Sequence, residues 1–205
     1  MPGFDDPRRL RLAGMAAAGA DVRPQLRLLM LAEALAAPPT RRALDLNAET
    51  AALCTAASEA VRRRPGWLYV VPSPALLPVA LPRSLWQAAV LCVLRGVQPA
   101  GRTVVMLQAG AGAAVAVFRA AHAAGIPSDT LPLLRRAAAL TGGICVTAGF
   151  PVDGRSANAP PAPYFAAALR LPLATRAPLQ EPPTAEDLLY DRYSPVQVLL
   201  DGFTV

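Results

Sequence analysis

The sequence predicts an α/β protein with a small, open, mostly parallel sheet flanked by helices. Between residues 67 and 150, short apolar runs alternate with helical segments, which is the pattern of strands and crossover helices around a parallel sheet. The residues before this region have helical periodicity, and those after it are rich in proline. A chain of 205 residues can bury a core of its own. We therefore divide it into an N-terminal helical layer (1–64), an α/β core (65–150) and a Pro-rich C-terminal arm (151–205) that packs on the core or on a partner.

Three helices are predicted in the first region. The first begins at Asp5-Asp6-Pro7, where acidic residues and a proline mark a helix start, and it ends at Gly19. The second runs from about Asp21 to Ala37, before two prolines. The third runs from Asn47, a good capping residue, to Arg64.

Three apolar runs predict the buried strands of the core. They are Trp67–Val71, Thr103–Leu107 and Ile144–Thr147, all rich in β-branched or aromatic residues. Helices are predicted between them, at Ser84–Arg95 and at Ala113–Ala124, because a glycine follows each segment.

Four further segments complete the prediction. Residues 126–140 fit either a short strand or a helix capped by Ser128, and residues 166–173 also fit a strand or a helix. Thr184–Asp187 predicts the start of a short helix by its capping pattern. Val196–Leu200 alternates enough to predict a late strand.

The charge is unevenly placed along a chain with a formal net charge of +6. No acidic residue lies between Ala60 and Ser128, whereas the stretch from Glu181 to Asp201 is acidic, so the two parts could attract each other. The run Arg62, Arg63, Arg64 could contact phosphates. Three arginines at a helix end are more typical of a solvated C-terminus, and no aromatic residues for base stacking accompany them. We therefore do not expect nucleic-acid binding.

The hydropathy pattern does not predict a membrane span. Thr103–Phe118, the longest uncharged stretch of the most apolar region, is shorter than the roughly 20 residues that a spanning helix needs. The N-terminus also lacks the pattern of a signal peptide. We expect a cytoplasmic protein in a reducing environment.

The sequence predicts no catalytic residue and no metal ligand. Cys54, Cys92 and Cys145 are widely spaced in apolar surroundings, which is typical of buried, reduced and inert thiols. His122 is the only histidine, so a metal site or a catalytic relay built on histidines is excluded.

One glycine-rich turn is the candidate cofactor site. Gly110 and Gly112 follow the strand Thr103–Leu107 and precede the helix predicted from Ala113, and backbone N–H groups at such a turn can bind a phosphate. The dinucleotide-binding pattern is incomplete, because Val115 stands at the third glycine position. Asp129 lies near the distance of a ribose-binding acid but follows Pro127-Ser128 rather than a second strand.

Four segments in order carry a partial family resemblance. They are Pro78-Val79-Ala80-Leu81-Pro82, Gly101-Arg102-Thr103-Val104-Val105-Met106-Leu107, Ala124-Gly125-Ile126-Pro127 and Val146-Thr147-Ala148-Gly149. This order resembles the cofactor-binding region of the aldehyde dehydrogenase superfamily, over about a third of the chain.

The departures from that family concern its functional residues. Ala80 stands where the family has a catalytic asparagine, and Leu107 stands where it has a ribose-binding lysine. The general-base glutamate and the nucleophilic cysteine have no counterpart in this sequence. The resemblance therefore implies a degenerate, non-catalytic relative without a cofactor.

These observations lead to three functional hypotheses. The first is a non-catalytic binding or assembly protein, such as a subunit or a regulatory pseudoenzyme, that contacts a protein partner or forms a homo-oligomer. Its acidic, Pro-rich C-terminal arm would face the partner, which the excess of apolar residues in the chain leads us to expect. The alternative is a nucleotide-dependent enzyme that binds NAD at the turn of Gly110 and Gly112. The third, a viral or phage structural protein, fits the composition of a GC-rich gene, in which lysine is absent.

Overall fold

Helices and strands alternate along most of the chain. The computed structural model describes residues 7–61, 67–96, 102–121, 128–151 and 163–201. The helices of these residues are α1 (Pro7–Ala17), α2 (Arg23–Ala36), α3 (Leu46–Val61), α4 (Arg83–Arg95), α5 (Thr130–Thr141), α6 (Ala185–Leu189) and α7 (Pro195–Leu199). The strands are β1 (Leu44–Asp45), β2 (Leu68–Val71), β3 (Pro78–Val79), β4 (Thr103–Gly110), β5 (Ala113–Ala121), β6 (Ile144–Pro151) and β7 (Pro163–Pro172).

Five strands form one mixed sheet in the order β2-β4-β5-β7-β6, and β1 pairs with β3 separately. The predicted α/β class is confirmed, and the three predicted apolar runs are strands, but of the three only β4 lies inside the sheet: β2 and β6 are edge strands whose alternate residues are exposed. The sheet is not mostly parallel, because β2 and β4 run parallel while the other three strand pairs are antiparallel. The reason is the connection from β4 to β5, which is a tight hairpin instead of a crossover helix.

The helix predicted at Ala113–Ala124 is wrong, because Ala113–Ala121 is the strand β5. This strand pairs with β4 on one side and with β7 on the other. Alanine tolerates both conformations, and Val115 and Val117 alternate with residues that the core buries, as on a pleated surface. Hydrogen bonds on both sides thus outweigh the weak helical preference.

The two ambiguous segments are resolved by their packing. Residues 130–141 form α5, and residues 163–172 form β7, which lies between β5 and β6. The C-terminal region thus supplies an interior strand of the sheet. The division of the chain at residues 64 and 150 stays a prediction.

The helices of the N-terminal region are confirmed, with α1, α2 and α3 close to their predicted bounds. In the C-terminal region, Thr184 caps α6 as predicted: its hydroxyl accepts a hydrogen bond from the Asp187 N–H (3.1 Å), and its own N–H donates to the Asp187 carboxylate (2.9 Å).

The strand predicted at Val196–Leu200 is wrong, because α7 occupies these residues. The hydroxyl of Ser194 accepts a hydrogen bond from the N–H of Gln197 (3.3 Å), and Pro195 is the first helical residue. A capping residue followed by proline is a strong helix start, and it prevails over the β-branched valines.

The helices cover one face of the sheet and enclose the core. Trp86 of α4 is fully buried, its ring centroid lies 6.0 Å from that of Phe118 on β5, and its indole N–H donates to the hydroxyl of Thr50 on α3 (3.2 Å). The short helices α6 and α7 both contact α3. Helix α7 also contacts α4. None of the helices in the described ranges is long and apolar enough to cross a membrane.

Candidate functional site

The turn of Gly110 and Gly112 is a β-hairpin. Gly112 has a φ of +65°, a conformation that glycine adopts without strain, and the chain continues as β5. The turn's carbonyl groups serve the fold, since Gly112 accepts a hydrogen bond from the N–H of Leu173 (3.0 Å) and Ala111 accepts one from the Arg170 guanidinium (3.1 Å). The helix N-terminus that the phosphate hypothesis requires is therefore absent here. The assignment of Gly110 and Gly112 as cofactor-binding residues stays a prediction without that support.

The other residues singled out in the sequence are not brought together. Burial raises the pKa of Cys54 and of Cys92 to about 12, which makes both thiols inert. Cys145 is half-buried on the edge strand β6, and burial raises its pKa as well. His122 and the run at residues 62–64 lie outside the described residues. No group of three possible metal-ligating side chains occurs within the described ranges.

A different set of polar side chains lies at the end of α4 and at the start of α5, two helices that pack against each other and against α2. Asp129 precedes α5, and its carboxylate forms an ion pair with Arg27 of α2. Both groups act on Cys92 of α4: after burial, the charge of Asp129 raises the thiol pKa and that of Arg27 lowers it. We call the end of α4 and the start of α5, together with Arg27 of α2, the α4–α5 corner; its polar residues are Arg27, Cys92, Arg95, Asp129 and Thr130.

Two buried polar atoms of the α4–α5 corner have no hydrogen-bond partner among the described residues. They are Nη1 of Arg95, one turn after Cys92 on α4, and Oγ1 of Thr130, a fully buried residue in the first turn of α5. A buried donor without a partner costs about 1–3 kcal/mol. Such atoms in a native fold point to an additional group that satisfies them.

The α4–α5 corner also has the electrostatics of an anion site. The side chain of Asp129 does not cap α5, a helix of 12 residues, because its carboxylate is engaged with Arg27. The N–H groups at the start of such a helix carry a partial positive charge and favour phosphate. The guanidinium of Arg95 adds a full positive charge. No sequence pattern points to Arg95 or Thr130, because they belong to different helices, which only the packing of α4 against α5 relates.

A second buried polar cluster joins α3 to α4. Glu49 is fully buried and forms an ion pair with Arg83 (2.6 Å), whose guanidinium also donates to the carbonyl of Glu181. Burial raises the pKa of Glu49, although Arg83 opposes the shift. Oε2 of Glu49 has no hydrogen-bond partner among the described residues, whereas both partners of Arg83 belong to the fold, so we assign the cluster a structural role.

Two cavities open elsewhere on the described surface. One, of about 490 Å³, lies between α3 and β2, with Cys54 and Ser58 in its wall. The other, of about 380 Å³, lies between α1 and α2 and is lined mainly by aliphatic side chains. Neither includes Gly110, Gly112 or the α4–α5 corner.

Comparison with known proteins finds similarity in solved structures only. No protein-family model matches the chain, and no curated protein matches it. A histidine kinase from Burkholderia phymatum is 16% identical, with a TM-score of 0.49, over 81% of this chain and 87% of that one. The catalytic domain of the histidine kinase ThkA is 12% identical, with a TM-score of 0.44, over 62% of this chain and 92% of that one. Full-length ShkA in complex with AMPPNP is 13% identical, with a TM-score of 0.47, over 84% of this chain and 40% of that one.

These comparisons correct several expectations from the sequence. The similar structures are of histidine kinases, one of them a catalytic domain, and not of aldehyde dehydrogenases, so the resemblance to aldehyde dehydrogenases is wrong. The hypotheses of a non-catalytic binding or assembly protein, of a pseudoenzyme and of a viral protein are wrong for the same reason. The expectation of no cofactor, with NAD as its alternative, is also wrong, because the nucleotide named among these structures is AMPPNP.

Proposed function

We propose that this chain is a nucleotide-binding domain and that it binds the phosphates of ATP at the α4–α5 corner. The observation that carries the proposal is the presence of two buried, unpartnered atoms, Nη1 of Arg95 at the end of α4 and Oγ1 of Thr130 at the start of α5. A guanidinium, a hydroxyl and the free N–H groups of a helix N-terminus all donate hydrogen bonds, and phosphate oxygens accept them.

Each residue of the α4–α5 corner has a separate role in this proposal. Arg95 supplies charge and hydrogen bonds, and Thr130 supplies a hydroxyl donor within the first turn of α5. Arg27 neutralises Asp129, whose carboxylate would otherwise repel a phosphate next to it. The buried thiol of Cys92 forms part of the wall and takes no part in chemistry, since its pKa of about 12 keeps it protonated.

Calorimetric titration and thermal unfolding with ATP, AMPPNP and ADP, with and without Mg²⁺, test the proposal, and NAD is the negative control. AMPPNP is included because the ShkA structure holds it. A ligand at ten times its Kd stabilises the native state by about 1.4 kcal/mol, which for a chain of this size raises Tm by about 3–6 °C. Absence of both a heat of binding and a Tm shift with ATP and AMPPNP at millimolar concentration would refute the proposal.

Three variants locate the site. Arg95→Ala and Thr130→Val should each weaken ATP binding by about tenfold or more, since a hydrogen bond to a charged group contributes about 1.5–3 kcal/mol. Arg176→Ala removes the same charge at an exposed position and should bind as the wild type does. Gly112→Asn adds a side chain at the hairpin and tolerates the positive φ. If ATP binding is lost in Gly112→Asn but kept in Arg95→Ala, the nucleotide binds at the hairpin and the corner assignment is wrong.

We also propose that the chain works in the cytoplasm, where thiols stay reduced. The three cysteines are free, and two are buried where no disulfide partner reaches them among the described residues. Alkylation of freshly lysed cells followed by mass spectrometry should find all three as thiols. A disulfide in that material would contradict this compartment.

A further inference from the structure

The five-stranded sheet has one face that the described helices leave open. The residues that point to the helices on β4, β5 and β7 are buried, for example Leu107, Phe118 and Leu169. The alternate residues point away and are more accessible, although most are aliphatic. The large apolar side chains that stay exposed on this open face are Tyr69 (45%), Val71 (49%), Ile144 (57%) and Val146 (60%).

The strand register arranges the open face in rows across the sheet. The middle row is aliphatic on all five strands and consists of Val71, Met106, Val117, Ala168 and Val146. Cross-strand neighbours in such a row lie about 4.5–5.5 Å apart and form a continuous apolar surface. An aliphatic row across a whole sheet is not expected of a face that stays in water.

The polar residues of the open face lie in the two outer rows. One outer row contains Arg119, between Val104 and Ala166, and the other contains Gln108 and Arg170. Among the described residues, no acidic side chain lies on this face. An apolar centre with polar groups at its edge is the usual composition of a protein interface.

The area of the open face indicates what kind of contact it can make. Five strands about 4.8 Å apart give a width of about 24 Å, and three rows about 6.7 Å apart give a length of about 20 Å. Two such faces in contact bury about 1,000 Å² in projection, and their accessible area is larger because the side chains are corrugated. This is at the lower limit for a specific interface.

We infer that a second copy of this chain covers the open face, so that two sheets pack face to face as a weak dimer. A twofold axis along the middle row places each valine, alanine and methionine of that row against its own counterpart. It also places Arg119 against Val115, and Arg170 against Ala166, since these residues occupy the opposite outer rows of the same strands. An axis along β5 would instead oppose Arg119 to Arg119, which charge repulsion disfavours.

Analytical ultracentrifugation of the whole chain, from about 1 to 300 μM, tests the inference, since an interface of this size is expected to dissociate in the micromolar range. Val146→Lys and Val117→Lys should each raise the dimer dissociation constant at least tenfold. Val146 is 60% exposed on an edge strand, so we expect Val146→Lys to fold. The test then stays valid even if Val117→Lys, on the interior strand β5, does not fold. Leu28→Lys, at a 69% exposed leucine of α2, is the matched control and should dimerise as the wild type does.

Three outcomes would overturn the inference. One is a monomer across the whole concentration range, and another is a dimer that Leu28→Lys weakens and the sheet variants do not. The third uses vesicles of phosphatidylserine and phosphatidylcholine: if the monomer sediments with them and Val146→Lys abolishes this, the face binds lipid and not a second copy. Because no nucleotide is added, these results are independent of the proposed ATP binding.

Discussion

Arg27 of α2 and Asp129, the residue before α5, form an ion pair between segments 102 residues apart, with 20% and 26% of their side chains exposed. A second contact lies further along the same helices, where the guanidinium of Arg136 on α5 donates to the carbonyl of Ala37 at the end of α2 (3.3 Å). The two contacts hold α2 alongside α5, with the two helices running in the same direction. The N-terminal helical layer is therefore attached to the core at the α4–α5 corner.

The first prediction concerns this ion pair. Arg27→Ala and Asp129→Ala should each destabilise the fold by about 1–2 kcal/mol, between the values for exposed and for buried pairs, and a double-mutant cycle should give a coupling energy of at least about 0.5 kcal/mol. Denaturant unfolding measures it. The Arg9–Glu33 pair, with 44% and 38% exposed, is the control and should couple more weakly. Equal coupling in the two pairs would contradict the role assigned to Arg27.

The second prediction concerns Gly143, at the approach of β6 to β7. A Cβ atom on this residue would lie 2.3 Å from the carbonyl oxygen of Arg170, which belongs to the backbone and cannot yield. Gly143→Ala should therefore destabilise the protein by about 1–3 kcal/mol, the range for overpacking. Gly14→Ala, in α1 with open space around it, should instead stabilise by about 0.5–1 kcal/mol. Thermal unfolding of the two variants distinguishes these signs, and a stable Gly143→Ala protein would argue against the observed β6–β7 pairing.

The third prediction concerns the hydrogen bond from Trp86 to Thr50. Thr50→Val keeps the shape of the side chain but leaves the buried indole N–H unpaired, so we expect a loss of about 1–3 kcal/mol. Tryptophan fluorescence during unfolding reports on this ring together with that of Trp67, the second tryptophan of the chain. Thr55→Val, an exposed position on the same helix, should change stability by less than about 0.5 kcal/mol. If both variants behave alike, the indole N–H has another partner.

The fourth prediction concerns Glu49 and pH. Burial raises its pKa in the folded state above the ordinary value of 4.5, so the folded state binds the proton more tightly than the unfolded state does. The stability that this proton contributes is complete below about pH 4.5 and is lost as the pH rises through the raised pKa. Glu49→Gln removes this contribution, so its free energy of unfolding should fall less than that of the wild type over this range. Glu59→Gln, at an exposed position of α3, should follow the wild type; a parallel course for Glu49→Gln would exclude the raised pKa.

Local patterns in the sequence were sufficient for most of the helices. Thr184 and Asp187 form a capping box within four residues, and α4 ends where Gly96 follows it, so their evidence lies within one helical turn. For Val196–Leu200 the alternation of apolar residues predicts a strand, but Ser194 and Pro195 start a helix there.

The candidate site was less accessible to sequence reasoning. A turn with two glycines predicted a phosphate site because a helix was expected after Gly112, and the hairpin removes that premise. Arg95 and Thr130 are ordinary residues in their own segments, so their residue types and spacing carry no signal. In the sequence, Asp129 suggests only an incomplete ribose-binding pattern. In the fold it forms an ion pair with Arg27.

The sequence by itself determined the α/β class, the capped helices and the strands that begin near Trp67, Thr103 and Ile144, because these depend on periodicity and on contacts within a few residues. Only the tertiary structure decided that Ala113–Ala121 is a strand and that β7 lies inside the sheet. It also decided that α4, which ends at Arg95, packs against α5, which begins at Thr130, and that one sheet face stays open. These features depend on hydrogen bonds and packing between segments far apart in the chain, which no local preference of alanine, glycine or valine specifies.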